Sequence, residues 1–125
     1  MTRLTRRAVL AGAIVLPAMA RAQTTWPSGT IRIVVPFPAG GSVDTIARLV
    51  QPDLQKRLGV TVLIENRAGA SGSIGAAAVA KAPPDGNTWL FVFDTHAVNP
   101  TLLPNLSFDS ERDLDPVLLI GTAPN

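Results

Sequence analysis

Two hydrophobic periods alternate along the chain. Ile31–Val35 ("IRIVV") is an apolar, β-branched run between Gly29 and Pro36, the composition of a strand buried in a parallel sheet. From Val43 the period changes. Val43, Ile46, Ala47, Val50, Leu54 and Leu58 recur at steps of three and four and share one helix face, while Asp44, Arg48, Gln51 and Gln55 fall on the other. Asp44 and Arg48 form a favourable pair four residues apart. Pro52 should kink this helix or leave a carbonyl unpaired, and Gly59 is suited to end it. "VTVLIE" (Val60–Glu65) predicts a second strand, and "AAAVAKA" a small-residue helix ending before Pro83-Pro84. After the turn "PPDGN" comes a third strand, "WLFVF" (Trp89–Phe93). "DTHAVNP" reads as a polar loop, and beyond the acidic "DSERDLDP" a fourth strand is expected at "VLLIG" (Val117–Gly121).

The order strand, helix, strand, helix, strand predicts an α/β fold, a parallel βαβαβ unit with right-handed crossovers. In such a sheet the loops at the carboxyl ends of the strands converge, and ligands bind beside them. Three loops should meet there: Pro36–Ser42, Asn66–Ser73 and Asp94–Pro100.

The first loop sets Gly40-Gly41 immediately before a helix. Glycine lets a ligand approach the peptide groups, and the first N–H groups of a helix lack internal partners at its partly positive end. Those properties suit a carboxylate or phosphate. They equally suit a helix capped by Ser42 with nothing bound. Asp44, in the first turn, either complements the helix dipole or accepts a hydrogen bond from a ligand hydroxyl or ammonium. A bare carboxylate there would repel phosphate, which favours small polar acids.

In the second loop Gly69, Gly72 and Gly75 are spaced by three, which is not the Gly-x-Gly-x-x-Gly dinucleotide fingerprint. Gly69-Ala70-Ser71-Gly72-Ser73 falls one glycine short of a nucleophile elbow, and His96 is the only histidine that could serve Ser71. Ser71 and Ser73 are better read as caps of the second helix that offer hydroxyls to the cleft. The third loop adds Thr95, His96 and Asn99, which can hydrogen-bond a polar ligand.

Charge changes the picture once the N-terminus is considered. Arg3, Arg6 and Arg7 precede an apolar stretch, Ala8–Ala20, and Ala20-Arg21-Ala22 supplies a small-x-small cleavage site. This is the layout of a secretory signal peptide over residues 1–22, leaving 23–125 as the mature part. Thr5-Arg6-Arg7 also fits a twin-arginine leader. The whole chain is +2, but the mature part keeps seven basic side chains against nine acidic ones, a formal charge of −2. The basic excess belongs to the leader, so nucleic-acid binding is not expected. With no cysteine and one histidine, disulfides, thiolate clusters and His-rich metal sites are excluded.

Three runs carry a family resemblance: "TIRIVVPFPAGGSVDTIARLV", "VLIENRAGASGSIGAAAVAKAPPDGNTWLF" and "HAVNPTLLPNLSFDSERDLDPVLLIG". In this order they resemble the Bug family of periplasmic solute-binding receptors of tripartite tricarboxylate transporters, from about Trp26 to Gly121. The resemblance implies a periplasmic binding protein of type II, with two α/β lobes closing on a ligand. This chain would supply the opening part of the first lobe, with the second lobe absent. It implies a non-catalytic monomer without cofactors, which captures di- or tricarboxylates, acidic amino acids or aromatic acids for integral membrane partners. The ligand-facing positions carried over are Phe37, Ala39, Gly40, Gly41, Ser42 and Asp44, then Ala70, Ser71, Gly72 and Ser73, then Thr95 and His96. A nucleotide-using α/β enzyme with an anion at Gly40-Gly41 is the alternative, and it lacks a Walker lysine and a dinucleotide fingerprint.

Overall fold

A computed structural model describes residues 26–122; the expected leader lies outside the described residues. The elements are β1 (Ile31–Val35), α1 (Ser42–Leu58), β2 (Val62–Asn66), a 3-10 turn (Ala70–Gly72), α2 (Ser73–Ala80), β3 (Thr88–Leu90) and α3 (Thr95–Leu102). The three strands form one sheet in the order β2-β1-β3, with both pairings parallel. The chain therefore steps from β1 to one neighbour and then back across β1 to the other. With right-handed crossovers, that reversal puts α1 and α2 on opposite faces. In open α/β sheets ligands bind beside such a reversal, here at the carboxyl end of β1.

The alternating side chains of β1 agree with this arrangement. Ile31, Ile33 and Val35 are buried and gather Leu54, Leu58, Val43 and Ala47 of α1 together with Trp89 and Phe91. Pro36, of the opposite parity, receives α2. A methyl group on Gly75 would lie 2.6 Å from Pro36 Cβ and 3.0 Å from the Arg67 carbonyl oxygen, so only glycine lets the helix come this near.

The polar stripe of α1 is not a solvent-facing one. The Gln51 side-chain amide donates to the Val62 carbonyl at 2.6 Å, and the Val62 N–H donates to Gln55 Oε1 at 3.0 Å. Thr61 and Arg67 bond across to β1, so Val62 points its backbone groups away from β1, at the free edge of the sheet. Asp44, Arg48, Gln51 and Gln55, at steps of four, three and four, run along that edge: the two glutamines meet the Val62 backbone, and Asp44 and Arg48 meet the Asn66 side chain. Asp44 is consequently only 2% exposed, while Ile46, assigned to the apolar face, is 43% exposed. Pro52 lies inside α1, which continues to Leu58 and ends at Gly59 with a left-handed backbone, as expected.

At the opposite end of the sheet the turn before β3 is pinned by two indoles. Trp26 Nε1 and Trp89 Nε1 both donate to the Gly86 carbonyl, at 3.1 and 2.7 Å, with the rings 6.2 Å apart.

Three expectations are corrected. The third strand covers Thr88–Leu90 rather than Trp89–Phe93. Phe91 N–H still donates to the Val34 carbonyl, but the chain then leaves the ladder so that Phe93 can stack on Phe37. The segment read as a polar loop forms most of α3, with Pro100 inside it. A buried Asn99 anchors this helix, and tertiary contacts outweigh the poor local propensity. Val117–Gly121 forms no strand. It finds no ladder partner among the described residues and is exposed, Leu118 by 78%.

Candidate functional site

The first loop delivers free donors, though not where the glycines are. Gly40 adopts a left-handed backbone (φ 84°), and its N–H donates to Asp44 Oδ2 at 2.8 Å. The Gly41 N–H donates to the Pro38 carbonyl at 3.3 Å. Both glycine amides are therefore engaged by the protein. The first helical bond runs from Thr45 N–H to the Gly41 carbonyl at 2.9 Å. That leaves the N–H groups of Ser42, Val43 and Asp44 without acceptors among the described residues, at the positive end of a 17-residue helix. The Ser42 hydroxyl does not cap the helix; Gly41 is the capping residue and no side chain takes that role.

Asp44 corrects a second expectation. Its carboxylate faces inward, accepting from Gly40 N–H, from Arg48 Nε at 3.0 and 3.1 Å, and from Asn66 Nδ2 at 2.9 Å. Arg48 also donates to Asn66 Oδ1 at 3.1 Å, and Asn66 Nδ2 reaches the Phe37 carbonyl at 3.2 Å. The Arg48 hydrogen bond above all, then those from Gly40 and Asn66, hold the Asp44 carboxyl well below the usual carboxylate range. Arg48 is shifted upward in return. The consequence for the site is electrostatic. A carboxylate matched by its own guanidinium adds little repulsion toward an anion at the helix end, so the neutral pair leaves the dipole and the free N–H groups to set the local potential.

The second loop is strained. Gly69, Ala70, Ser71 and Gly72 all have positive φ, 136°, 45°, 53° and 89°. For Ala70 and Ser71 this left-handed backbone costs roughly 1–2 kcal/mol each. One restraint comes from α3: Asn99, 4% exposed, donates its amide to the Ser71 carbonyl at 2.9 Å. Ser73 is the first residue of α2, and neither it nor Ser71 caps that helix through its side chain, contrary to expectation.

Phe37 joins the loops. It packs on the Val35–Val43–Ala47 cluster, and its ring tip lies 3.4 Å from where a methyl on Gly72 would sit. Phe93 stacks on it with ring centroids 4.5 Å apart and planes at 19°. Phe93 and Asn66 were not among the sequence-predicted site residues, and Asn99, expected to hydrogen-bond a ligand, donates instead to the Ser71 carbonyl. An aromatic residue at a strand end and an asparagine leading into a glycine-rich turn are the signals that would have pointed to the first two. Of the predicted residues, Phe37, Gly72, Gly40 and Asp44 are drawn together by these contacts, and Ser71 is tied to α3. Ala39, Ala70 and Ser73 make no side-chain contact of this kind. Thr95 Oγ1 is buried without a hydrogen-bond partner among the described residues. His96 lies parallel to Phe108, 6.3 Å away, and burial pushes its pKa below the ordinary value, so it is neutral at pH 7.

The chain shares this architecture with known proteins. The family model described as "Tripartite tricarboxylate transporter family receptor" matches residues 46–125. A protein of Agrobacterium vitis from the TAR-I ttuE-ttuC' intergenic region is 47% identical over 117 residues, 94% of this chain and 34% of its own length. Among solved structures, a periplasmic transporter is 46% identical with a TM-score of 0.64, covering 68% of this chain and 29% of its own. MatC from Rhodopseudomonas palustris, solved with bound malate, is 40% identical with a TM-score of 0.65, covering 70% of this chain and 30% of its own. The chain spans about a third of the length of the curated relative. Its α/β fold is that of one segment of these structures and of a TctC solute binding protein from Polaromonas, 33% identical with a TM-score of 0.60, covering 62% of this chain and 27% of its own. On the family match over residues 46–125, and with a parallel sheet whose strand order reverses at β1, the chain belongs to the tripartite tricarboxylate transporter receptor family.

Proposed function

We propose that this chain forms part of an extracytoplasmic receptor that captures small carboxylates for a tripartite transporter, with one carboxylate group held at the amino end of α1. The observation that carries this reading is the set of unpaired N–H groups at Ser42, Val43 and Asp44, beside an Asp44 carboxylate already neutralised by Arg48. The remaining polar contacts come from the Ala39 backbone, from the Ala70–Ser73 turn, and from Thr95 and His96 at the start of α3, with Gly40 and Gly41 shaping the loop. The malate-bound relative supports a small organic acid as the ligand class. The leader-like residues 1–22 support delivery to the periplasm, and the family description supports membrane-embedded transporter subunits as partners.

Backbone donors can be tested one at a time with proline. Ser42 is the first helical residue, where proline is well accepted, and Gly41 before it has φ −71° and ψ 169°, the conformation that residues preceding proline adopt. Ser42→Pro deletes one N–H with little disturbance to the fold. By calorimetry, malate or succinate should bind the unsubstituted chain, and Ser42→Pro should weaken binding by roughly 10–100-fold, the worth of a hydrogen bond to a charged group. Binding of a nucleotide and of no organic acid would instead support an enzyme of the nucleotide-using class.

A further inference from the structure

The carboxylate reading leaves one element of this edge without a role: an aromatic ring that is neither core nor surface. Phe93 follows β3, is stacked face to face on Phe37, and is still 44% exposed. Its partner Phe37 is half-buried on the cluster that includes Val43 of the first turn of α1, and it touches the Gly72 position at the head of α2. The free face of the pair is therefore one ring removed from the amino end of α1, on the side where the three loops meet.

Charge at the same edge is scarce. Arg48 is engaged by Asp44 and Asn66, and Arg67 by Glu65. Arg32 pairs with the same Glu65, Lys81 donates to Ser107, and Arg112 pairs with Asp113. Lys56 and Arg57 stand in the last turn of α1, at the far end of that helix. Among the described residues, then, the cation nearest this edge, Arg67 just after β2, is already held by Glu65, a carboxylate it shares with Arg32. A second carboxylate brought here would have to draw Arg67 from Glu65 to gain a counter-charge. An apolar body would instead cover ring surface that water now touches.

We propose that Phe93 is a specificity-determining residue of this site, its ring receiving the apolar or aromatic body of a monocarboxylate whose charged end lies at the amino end of α1. This rests on the carboxylate-receptor reading above and narrows it. The site prefers such an acid to a polycarboxylate such as malate, which binds through one carboxylate and leaves the other facing the aromatic ring.

The test is calorimetric titration of the full chain with 3-phenylpropanoate and with citrate, repeated on Phe93→Ala and Phe93→Lys, with circular dichroism to check folding. Phe93 is 44% exposed and lies outside the buried core clusters, so both variants should fold. The expected result is tighter binding of 3-phenylpropanoate than of citrate. Phe93→Ala should lower affinity for the aromatic acid by about tenfold with little change for citrate. Phe93→Lys should turn the preference toward citrate. Equal or tighter citrate binding by the unsubstituted chain, or an unchanged preference in both variants, overturns the role of Phe93 while leaving the carboxylate site standing. Failure of every carboxylate to bind removes the underlying reading, and the proposal with it.

Discussion

Asn66 and Asp44, 22 residues apart, are joined by a 2.9 Å hydrogen bond from the Asn66 amide to Asp44 Oδ1. The same amide reaches the Phe37 carbonyl, and the Asn66 oxygen accepts from Arg48, so one side chain ties the end of β2 to the first loop and to α1. Asn66→Ala should lower stability by roughly 1–3 kcal/mol, since it strands partly buried partners. Asn66→Asp should be worse at neutral pH, because it sets a second carboxylate against Asp44 and turns a donor into an acceptor. Urea midpoints of the two variants check the ordering. An Asn66→Asp variant as stable as the unsubstituted chain would show that the network does not hold the loop.

The same network predicts acid sensitivity. The Asp44 carboxyl is held below its ordinary value by Arg48, Gly40 and Asn66 in the folded chain and returns to about 3.9 on unfolding. A group depressed in this way contributes fully above its unfolded value, and the contribution is lost as the pH falls from there through the folded one. Stability should therefore decline below about pH 4. Asp113 is also lowered, chiefly by its hydrogen bond from Arg112, and it titrates in the same direction. Urea midpoints measured from pH 7 down to pH 2 should show a decline that Asp44→Asn flattens in large part. A slope unchanged by that substitution would move the acid response to other carboxylates.

Gly75→Ala sets two effects against each other. Alanine is the better helix former by about 1 kcal/mol. A methyl group there would sit 2.6 Å from Pro36 Cβ, with the Arg67 carbonyl oxygen and Pro36 Cα both at 3.0 Å. Overpacking against backbone costs typically 1–3 kcal/mol. The clash should prevail, so Gly75→Ala should melt lower than the unsubstituted chain. Ala78→Gly, elsewhere in α2, should also melt lower, through helix propensity alone. A rise in melting temperature for Gly75→Ala would mean that α2 can shift away from the sheet at little cost.

The hydrophobic period located β1, α1 and β2 because each buries a face against the sheet, and burial is what periodicity records; α2 was legible from its small residues alone. The period misread the polar stripe of α1 for the same reason. Asp44, Arg48, Gln51 and Gln55 look like a solvated face, yet they lie against β2, Gln51 and Gln55 on the Val62 backbone, which leaves no trace in side-chain hydropathy, and Asp44 and Arg48 on the polar side chain of Asn66. The Gly40-Gly41 loop was legible as a helix start. That its glycine amides are engaged by Asp44 and Pro38 was not, since it depends on a carboxylate turning inward. α3 was hidden behind Pro100 and a polar composition; its anchor, Asn99, takes its meaning only from the Ser71 carbonyl 28 residues away. Val117–Ile120 has the composition of a strand, but a strand is also a pairing, and composition cannot supply the partner.

The indole pair at Gly86 decides how this protein can be watched. The chain has two tryptophans and no tyrosine, so nearly all of its near-ultraviolet emission arises from Trp26 and Trp89. Trp26 precedes β1, and Trp89 lies at the middle of β3 opposite Ile33, while the candidate site lies beyond Val35, about 7 Å further along the ladder. Their emission is in the first place a clock for melting of the sheet and its turn. Two rings 6.2 Å apart also exchange excitation, which lowers the polarisation of that light until the turn opens. A rise in the polarisation of that light on heating is therefore the signature of the turn opening, and a reporter placed beside Phe93 reads the far end of the sheet more directly than either indole.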